Sequence, residues 1–280
     1  MKKWNLIIDI EKCEDCNNCF LACKDEHVDN DFPGYALDQP KHGHRWINIM
    51  RKERGQYPLI DVAYLPIPCM HCDNAPCIAK AKDGAVYKRE DGIVIVDPEK
   101  ARGQKGIVDA CPYGAIWWNE EKNIPQKCTL CAHLVDEGWK EPRCVQACPT
   151  GAMRIVRAED SEMQKIIESE KLEVLNPEYK TRPRVYYKNL YRFTRCFIAG
   201  SVAVRLNGKE ECAEGAKVTL LNAANENIGE YMTDNYGDFK FDNFEENSGK
   251  YTLQIAYPGY TLKAIEVDLK KSFNAGTIVL

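Results

Sequence analysis

The sequence predicts an α+β chain in two parts: a cysteine-rich front region of short strands and loops, and an all-β sandwich behind it. Three observations carry this. Twelve of the 14 cysteines fall in the first 148 residues. From about Ser201 the chain changes to strict alternation of apolar and polar residues, the period of a half-buried strand. A length of 280 residues exceeds what one small core needs and suggests roughly two domains. Hydrophobic content of 44% and charged content of 29% are ordinary for a folded chain and exclude wholesale disorder.

In the front region, residues 1–156, apolar segments separate the cysteine loops. Asn5–Ile10, Trp46–Met50, Ile93–Val96, Ala115–Trp118 and Met153–Val156 read as strands. Residues 157–199 read as a helix followed by an extended linker. The helix starts from a cap at Asp160 or Ser161, has Glu162 in its first turn, and carries Met163, Ile166, Ile167 and Leu172. Pro177 and Pro183 then force extended chain, and the aromatic run Tyr186–Phe193 reads as linker lying against another surface. In residues 200–280 the segments Val202–Leu206, Lys217–Leu221, Phe239–Phe241, Tyr251–Ile255 and Ala264–Leu269 are period-2 strands. Turns such as Asn235-Tyr236-Gly237-Asp238 and Ser248-Gly249 separate them. Short strands at this spacing indicate an antiparallel sandwich of roughly seven strands.

Charge divides along the same line. Residues 1–199 hold 30 Lys and Arg against 30 Asp and Glu, while residues 200–280 hold 8 against 12. Neither part is basic enough for nucleic acid, and no aromatic residues interleave with a basic stripe. No apolar run reaches the length of a membrane span. The start, Met1 to Ile10, is interrupted by Asp9 and reads as a strand, not an export signal.

The cysteines carry the chemistry. The first group is Cys13-x2-Cys16-x2-Cys19-x3-Cys23. Three cysteines at intervals of three can point at three corners of one small object, which is the spacing of a [4Fe–4S] loop, and the fourth cysteine of such a run ligates the other cluster in two-cluster folds. Lys24 stands where proline usually follows that fourth cysteine. The second group, Cys69-x2-Cys72-x4-Cys77, has Ala81-Lys82 where Cys-Pro is expected. The third is a lone Cys111-Pro112, with Ala101, Gln104 and Ile107 at the places of its missing triplet. The fourth is Cys128-x2-Cys131-x12-Cys144-x3-Cys148-Pro149.

Exchange of the fourth cysteines yields three complete sets. Set A is Cys13, Cys16, Cys19 and Cys148; set B is Cys23, Cys128, Cys131 and Cys144; set C is Cys69, Cys72, Cys77 and Cys111. The vacant positions 81, 101, 104 and 107 form the whole ligand set of one further cluster, removed as a unit. The expectation is three [4Fe–4S] clusters on these 12 cysteines, with Cys196 and Cys212 as packed thiols. Two other readings exist for a cysteine-rich chain. A disulfide framework lacks an export signal, and zinc would suit Cys128-x2-Cys131-x12-Cys144 taken alone. His71 and His133 sit in or beside cysteine loops and suit packing, or a hydrogen bond to cluster sulfur, better than ligation. His27, His42 and His44 read as structural, and Trp117 and Trp118 as core that shields a cluster. No nucleophile–base pair, Walker loop or dinucleotide fingerprint is present, so no catalytic residue is expected on this chain.

The order of the four groups resembles the iron–sulfur subunits of molybdopterin-dependent oxidoreductases of the dimethyl sulfoxide reductase family. Cys13-Glu14-Asp15-Cys16-Asn17-Asn18-Cys19-Phe20, Pro68-Cys69-Met70-His71-Cys72 and Gln126-Lys127-Cys128-Thr129-Leu130-Cys131-Ala132-His133 carry the likeness. So do Gly43-His44-Arg45-Trp46, Arg89-Glu90-Asp91-Gly92-Ile93-Val94 and the stretch from Pro183 to Phe193. Family members usually bear four clusters. The three-cluster form with an added β-domain resembles the small subunits of the branch that transfers hydroxyl groups between phenolic rings. The tail's Thr233-Asp234-x2-Gly237-x-Phe239-x-Phe241 and Gly249-x-Tyr251-x-Leu253 resemble transthyretin-like sandwiches, which bind or pack and do not catalyse.

The resemblance implies a duplicated bacterial-type ferredoxin fold with cysteine-loop insertions, followed by an all-β transthyretin-like/Ig-like sandwich. It also implies a large partner subunit that holds molybdenum (or tungsten) on two pterin guanine dinucleotides and carries the active site, with this chain as its electron wire in a heterodimer. Two rivals stand beside a transhydroxylase. One is a related complex with net electron flow, such as a resorcinol hydroxylase, a catechol dehydroxylase or another reductase. The other is a free polyferredoxin carrier with a docking domain. Oxygen-labile clusters and a start without a signal lead to a cytoplasmic expectation.

Overall fold

The structure, a computed structural model, describes residues 1–280. They form two compact units, one of residues 1–51 and 64–190 and the other of residues 52–63 and 191–280. In chain order the elements are β1 (Lys3–Asp9), α1 (Asn18–His27), β2 (Ile47–Gln56), β3 (Leu59–Pro68), α2 (Pro76–Lys80), β4 (Val86–Lys88), β5 (Val94–Val96), α3 (Gly106–Asp109), β6 (Trp117–Asn119), β7 (Ile124–Gln126), α4 (Ala132–Asp136), α5 (Arg143–Gln146), β8 (Met153–Ala158), α6 (Asp160–Glu170) and β9 (Val185–Lys188). Eight strands follow: β10 (Cys196–Leu206), β11 (Lys209–Cys212), β12 (Lys217–Asn222), β13 (Asn227–Met232), β14 (Asp238–Phe244), β15 (Gly249–Ala256), β16 (Lys263–Leu269) and β17 (Phe273–Val279). No helix is long and apolar enough to cross a membrane.

β1 is the spine of the first unit. It is buried without a break from Trp4 to Ile8, because β8 pairs with it antiparallel on one edge and β9 parallel on the other. The aromatic run that reads as linker in the sequence therefore enters the sheet. Val185 and Tyr187 face inward, and the Tyr187 hydroxyl donates to the Pro66 carbonyl at 2.9 Å. The helix expected after Ala158 is α6. Its cap is Glu159, not Asp160 or Ser161, and it forms a reciprocal capping box with Glu162. Met163 packs under it with Ile7, Ala158 and Leu172. The rest of the unit consists of the ten-residue α1 and of two-stranded ladders, β4–β5 and β6–β7, among the one-turn helices α2 to α5.

In the second unit two four-stranded sheets enclose one core. One runs β13-β12-β15-β16, and the other is built around β10. β14 pairs with the first half of β10 and β11 with the second, both on one edge, while β17 runs parallel along the other. That parallel pair and the eighth strand depart from the antiparallel seven-strand expectation. Val202, Val204, Val218, Leu220, Leu253, Ile255, Val267 and Ile278 meet between the sheets. The hairpin tip, residues 52–63, belongs to this unit and rests on Phe197. A Cβ at Gly55, where φ is +87°, would lie 2.6 Å from the Phe197 ring. Gly237 is equally required, since a Cβ there would meet the Val202 carbonyl oxygen at 2.3 Å. Cys196 lies in the core, as expected of a packed thiol, but Cys212 is exposed. It ends the charged edge strand Lys209–Cys212, all of whose residues face solvent.

Candidate iron–sulfur centres

Three of the cysteine loops share one backbone device. In Cys13-Glu14-Asp15-Cys16, Cys69-Met70-His71-Cys72 and Cys128-Thr129-Leu130-Cys131 the third residue is left-handed, with φ of 54°, 45° and 52°. Each of these residues turns its own N–H back onto the first cysteine sulfur. His71 N donates to Cys69 Sγ at 3.5 Å and Leu130 N to Cys128 Sγ at 3.3 Å, and the Asp15 N–H acts on Cys13 in the same way. A non-glycine residue in this region is strained unless its surroundings hold it there, and such strain concentrates at functional sites. Backbone N–H groups converging in this way suit a negatively charged object.

All 14 thiols are free, and the twelve of the front region fall into three neighbourhoods. In the first, burial pushes Cys19 up to about 12, and Cys13, Cys148 and Cys16 add to the push. Cys13 is raised by burial, Cys148 and Cys16. In the second, burial raises Cys23 and Cys144; Cys128 and Cys131 act on both, and Cys23 on Cys144. Burial also takes Cys131 to about 12, with Cys128 adding to it. In the third, Cys72 is pushed up to about 12 and Cys77 to about 11 by burial and by Cys69 and Cys111. The structure thus brings together the members of sets A, B and C. Two contacts join the sets: Cys19 acts on Cys144, and Cys69 on Cys128. Set B thus borders both of the others.

The donor sets suit clusters better than single ions. No three His, Cys, Asp or Glu side chains lie close enough to hold one ion, yet Cys23, Cys128, Cys131 and Cys144 line one common cavity with His27, Trp46 and Leu130. Thiols raised by burial stay protonated at neutral pH, so their ligand form requires a bound cation. Around the sets lie groups for which the sequence carries no pattern. Gln39 donates to the Cys23 carbonyl at 3.0 Å and approaches its sulfur at 3.8 Å. The Thr181 hydroxyl interacts with Cys72 and shares a 2.7 Å hydrogen bond with Tyr113. Lys127 is buried beside Cys128.

The histidines are structural in their contacts. His71 is held neutral by burial, and its Nδ1 accepts the Val94 N–H at 3.0 Å, which leaves the ring proton on a buried, unpartnered Nε2. His133 stacks on Phe32 and reaches Glu26. Burial lowers His27 to about 3. His44 donates from Nε2 to the Trp118 carbonyl at 3.0 Å and lies beside Trp117, while His42 is exposed.

The four vacant positions come together as well. Ala101 and Ile107 are fully buried in one core with Cys77, Val86, Val96 and Ile116, and Ala81 packs against it. Gln104 takes the remaining place. Its Oε1 accepts the Lys82 N–H at 2.9 Å, and its Nε2 donates to the Lys100 and Lys82 carbonyls at 2.8 and 3.3 Å. Apolar side chains and one amide fill this corner.

Comparison with known proteins agrees with this chemistry. Residues 60–158 match the family described as "4Fe-4S dicluster domain". Over 283 aligned residues, covering all of both chains, the sequence is 48% identical to the pyrogallol hydroxytransferase small subunit of Pelobacter acidigallici. The chain belongs to that family of iron–sulfur subunits. It is 32% identical to a subunit of the tetrathionate reductase of Salmonella typhimurium, over 67% of this chain and 73% of that protein. It is 29% identical to the arsenate respiratory reductase iron–sulfur subunit of Shewanella sp. strain ANA-3, over 65% and 94%. Among solved structures, the minor pilin GBS52 of Streptococcus agalactiae aligns at a TM-score of 0.27 and 15% identity, over 34% of this chain and 47% of that one. As a member of its family the chain is an iron–sulfur electron-transfer subunit.

Proposed function

We propose that this chain is the electron-transfer subunit of a pyrogallol–phloroglucinol transhydroxylase, with three [4Fe–4S] clusters held by sets A, B and C. The observation that carries the reading is the grouping of twelve free thiols, six of them buried, into three neighbourhoods of four linked through set B. Each cluster, when bound, stores and passes one electron at a time. The chain's own part is to supply the thiolates, turn the Asp15, His71 and Leu130 N–H groups onto them and exclude water with Trp46, Leu130 and Ile107. The active site, with molybdenum or tungsten on two pterin guanine dinucleotides, belongs to a large partner subunit in a heterodimer. The second unit is a transthyretin-like/Ig-like sandwich that binds that partner or mediates assembly.

Transfer of a hydroxyl group between aromatic rings has no net redox change, so the wire sets or buffers the oxidation state of the partner's metal. The resemblance to reductase subunits supports a second reading, a complex with net electron flow. Two measurements separate these. Iron and labile-sulfide analysis should find about twelve of each per chain, and about eight or sixteen would contradict the three-cluster count. The purified complex should exchange hydroxyl groups between trihydroxybenzenes with no added electron donor. Turnover that requires a donor would favour the second reading.

A further inference from the structure

Lys127 is a buried cation for which the first unit provides no carboxylate. It is 2% exposed. Its ammonium donates to the carbonyls of Val94 and Cys128, the second at 3.0 Å, and takes part in no ion pair. An ammonium removed from water is costly unless an opposite charge faces it. The charge within reach belongs to the cysteines. Lys127 opposes the upward push of burial on Cys77 and Cys111 of set C and on Cys128 of set B. Cys128 and Cys69 are the thiols through which those two sets meet, so the ammonium stands at their junction. Set A has no buried lysine beside it; the charged side chain acting on Cys13 is Asp15, itself paired with the exposed Arg51. Lys24 and Arg143 also act on set B and Lys88 lies beside Cys72 of set C, but Lys24 is only part-buried, Arg143 is already paired with Asp25 and Glu26, and Lys88 with Asp73.

We propose that Lys127 is the internal counter-charge shared by sets B and C, and that it draws electrons to the two clusters they hold and away from the cluster on set A. The proposal rests on the three-cluster reading above. A fixed cation stabilises the more negative, reduced form of a centre beside it, and does so strongly where water is excluded. Lys127 is a positioning residue in this sense: it decides where an added electron resides and touches no substrate.

The test is an EPR-monitored redox titration of the purified anaerobic holocomplex as wild type, Lys127→Met, Lys127→Arg and Cys16→Ser. In Lys127→Met, two of three couples should lose at least tenfold in reduction equilibrium constant, about 59 mV for a one-electron couple, while the third moves less than threefold. Lys127→Arg should restore both. Equal movement of all three couples, or of none, would overturn the proposal. Cys16→Ser decides the matter even if Lys127→Met fails to load, since it disturbs set A alone. It should alter the couple of lowest potential, and alteration of either upper couple would overturn the proposal. Wild-type protein without about twelve irons and three separable couples would instead overturn the three-cluster reading, and the proposal with it.

Discussion

The two units solve the problem of stability in different ways. The second buries one continuous core of fourteen residues between two four-stranded sheets. The first builds no sheet wider than three strands; it buries Leu6, Ile8, Ile10, Leu65, Met70 and Tyr187, and adds separate clusters of four to eight residues. Beside that packing it gathers twelve thiols. A hydrophobic core stabilises a fold without any ligand, whereas a fold arranged around thiolates gains much of its stability from the metal that joins them. The difference teaches that one chain can place a unit arranged around thiols beside one arranged around a single hydrophobic core.

The largest expected effect breaks the comparison outright. Anaerobic removal of iron from the full chain should abolish hydrogen-exchange protection in β1, β8 and β9 and leave β12 and β15 protected. Loss of protection in both units at once, or in neither, would refute the contrast. A second effect, confined to the other unit, comes from Arg54. Its guanidinium is buried on Phe197, bonds Asp242 through two nitrogens at 2.9 and 3.0 Å, and also pairs with Asp61. Arg54→Met leaves two carboxylates without their buried partner and should cost about 3–5 kcal/mol. Thermal unfolding of the second unit should register it while the iron content stays unchanged.

A smaller effect follows from acid. Burial lowers His27 in the first unit to about 3. It stays neutral in the fold but takes a proton in the unfolded chain below pH 6.5, so stability is lost as pH falls from there, by about 1.4 kcal/mol per pH unit. In the second unit, burial pushes Asp61 up, but bonds from Arg54, Lys240 and Arg192 outweigh it and hold the carboxyl well below the usual range. That contribution is complete above about pH 4 and is lost only below it. Acid titration followed by hydrogen exchange should therefore loosen the first unit well before the second, and a common midpoint would contradict the two assignments.

Local pattern carried some of this and not the rest. Which thiols become neighbours is legible because ligand spacing is a property of short loops, and the vacancies at 81, 101, 104 and 107 are legible for the same reason. The strands of residues 200–280 announce themselves by alternation. β9 does not, because a four-residue parallel strand after two prolines is decided by the edge of β1 that it joins. Lys127 and Arg54 were illegible in principle. A lysine beside a cysteine or an arginine in a polar turn looks solvated until the residues that enclose it, 33 positions earlier for Val94 and 188 later for Asp242, are brought to it.

The hairpin tip has a consequence for synthesis. Everything the first unit pairs with is made once residue 190 has left the ribosome, so metal loading need not wait for the sandwich. The tip is made early, yet its partners on β10 and β14 emerge much later, and β10 cannot be closed on its parallel edge before Phe273–Val279 appears. A tip with an apolar sequence would spend that interval as an adhesive surface. The first part of the tip, Lys52-Glu53-Arg54-Gly55-Gln56, is polar and spends it hydrated, whereas Tyr57-Pro58-Leu59-Ile60 does not have that protection.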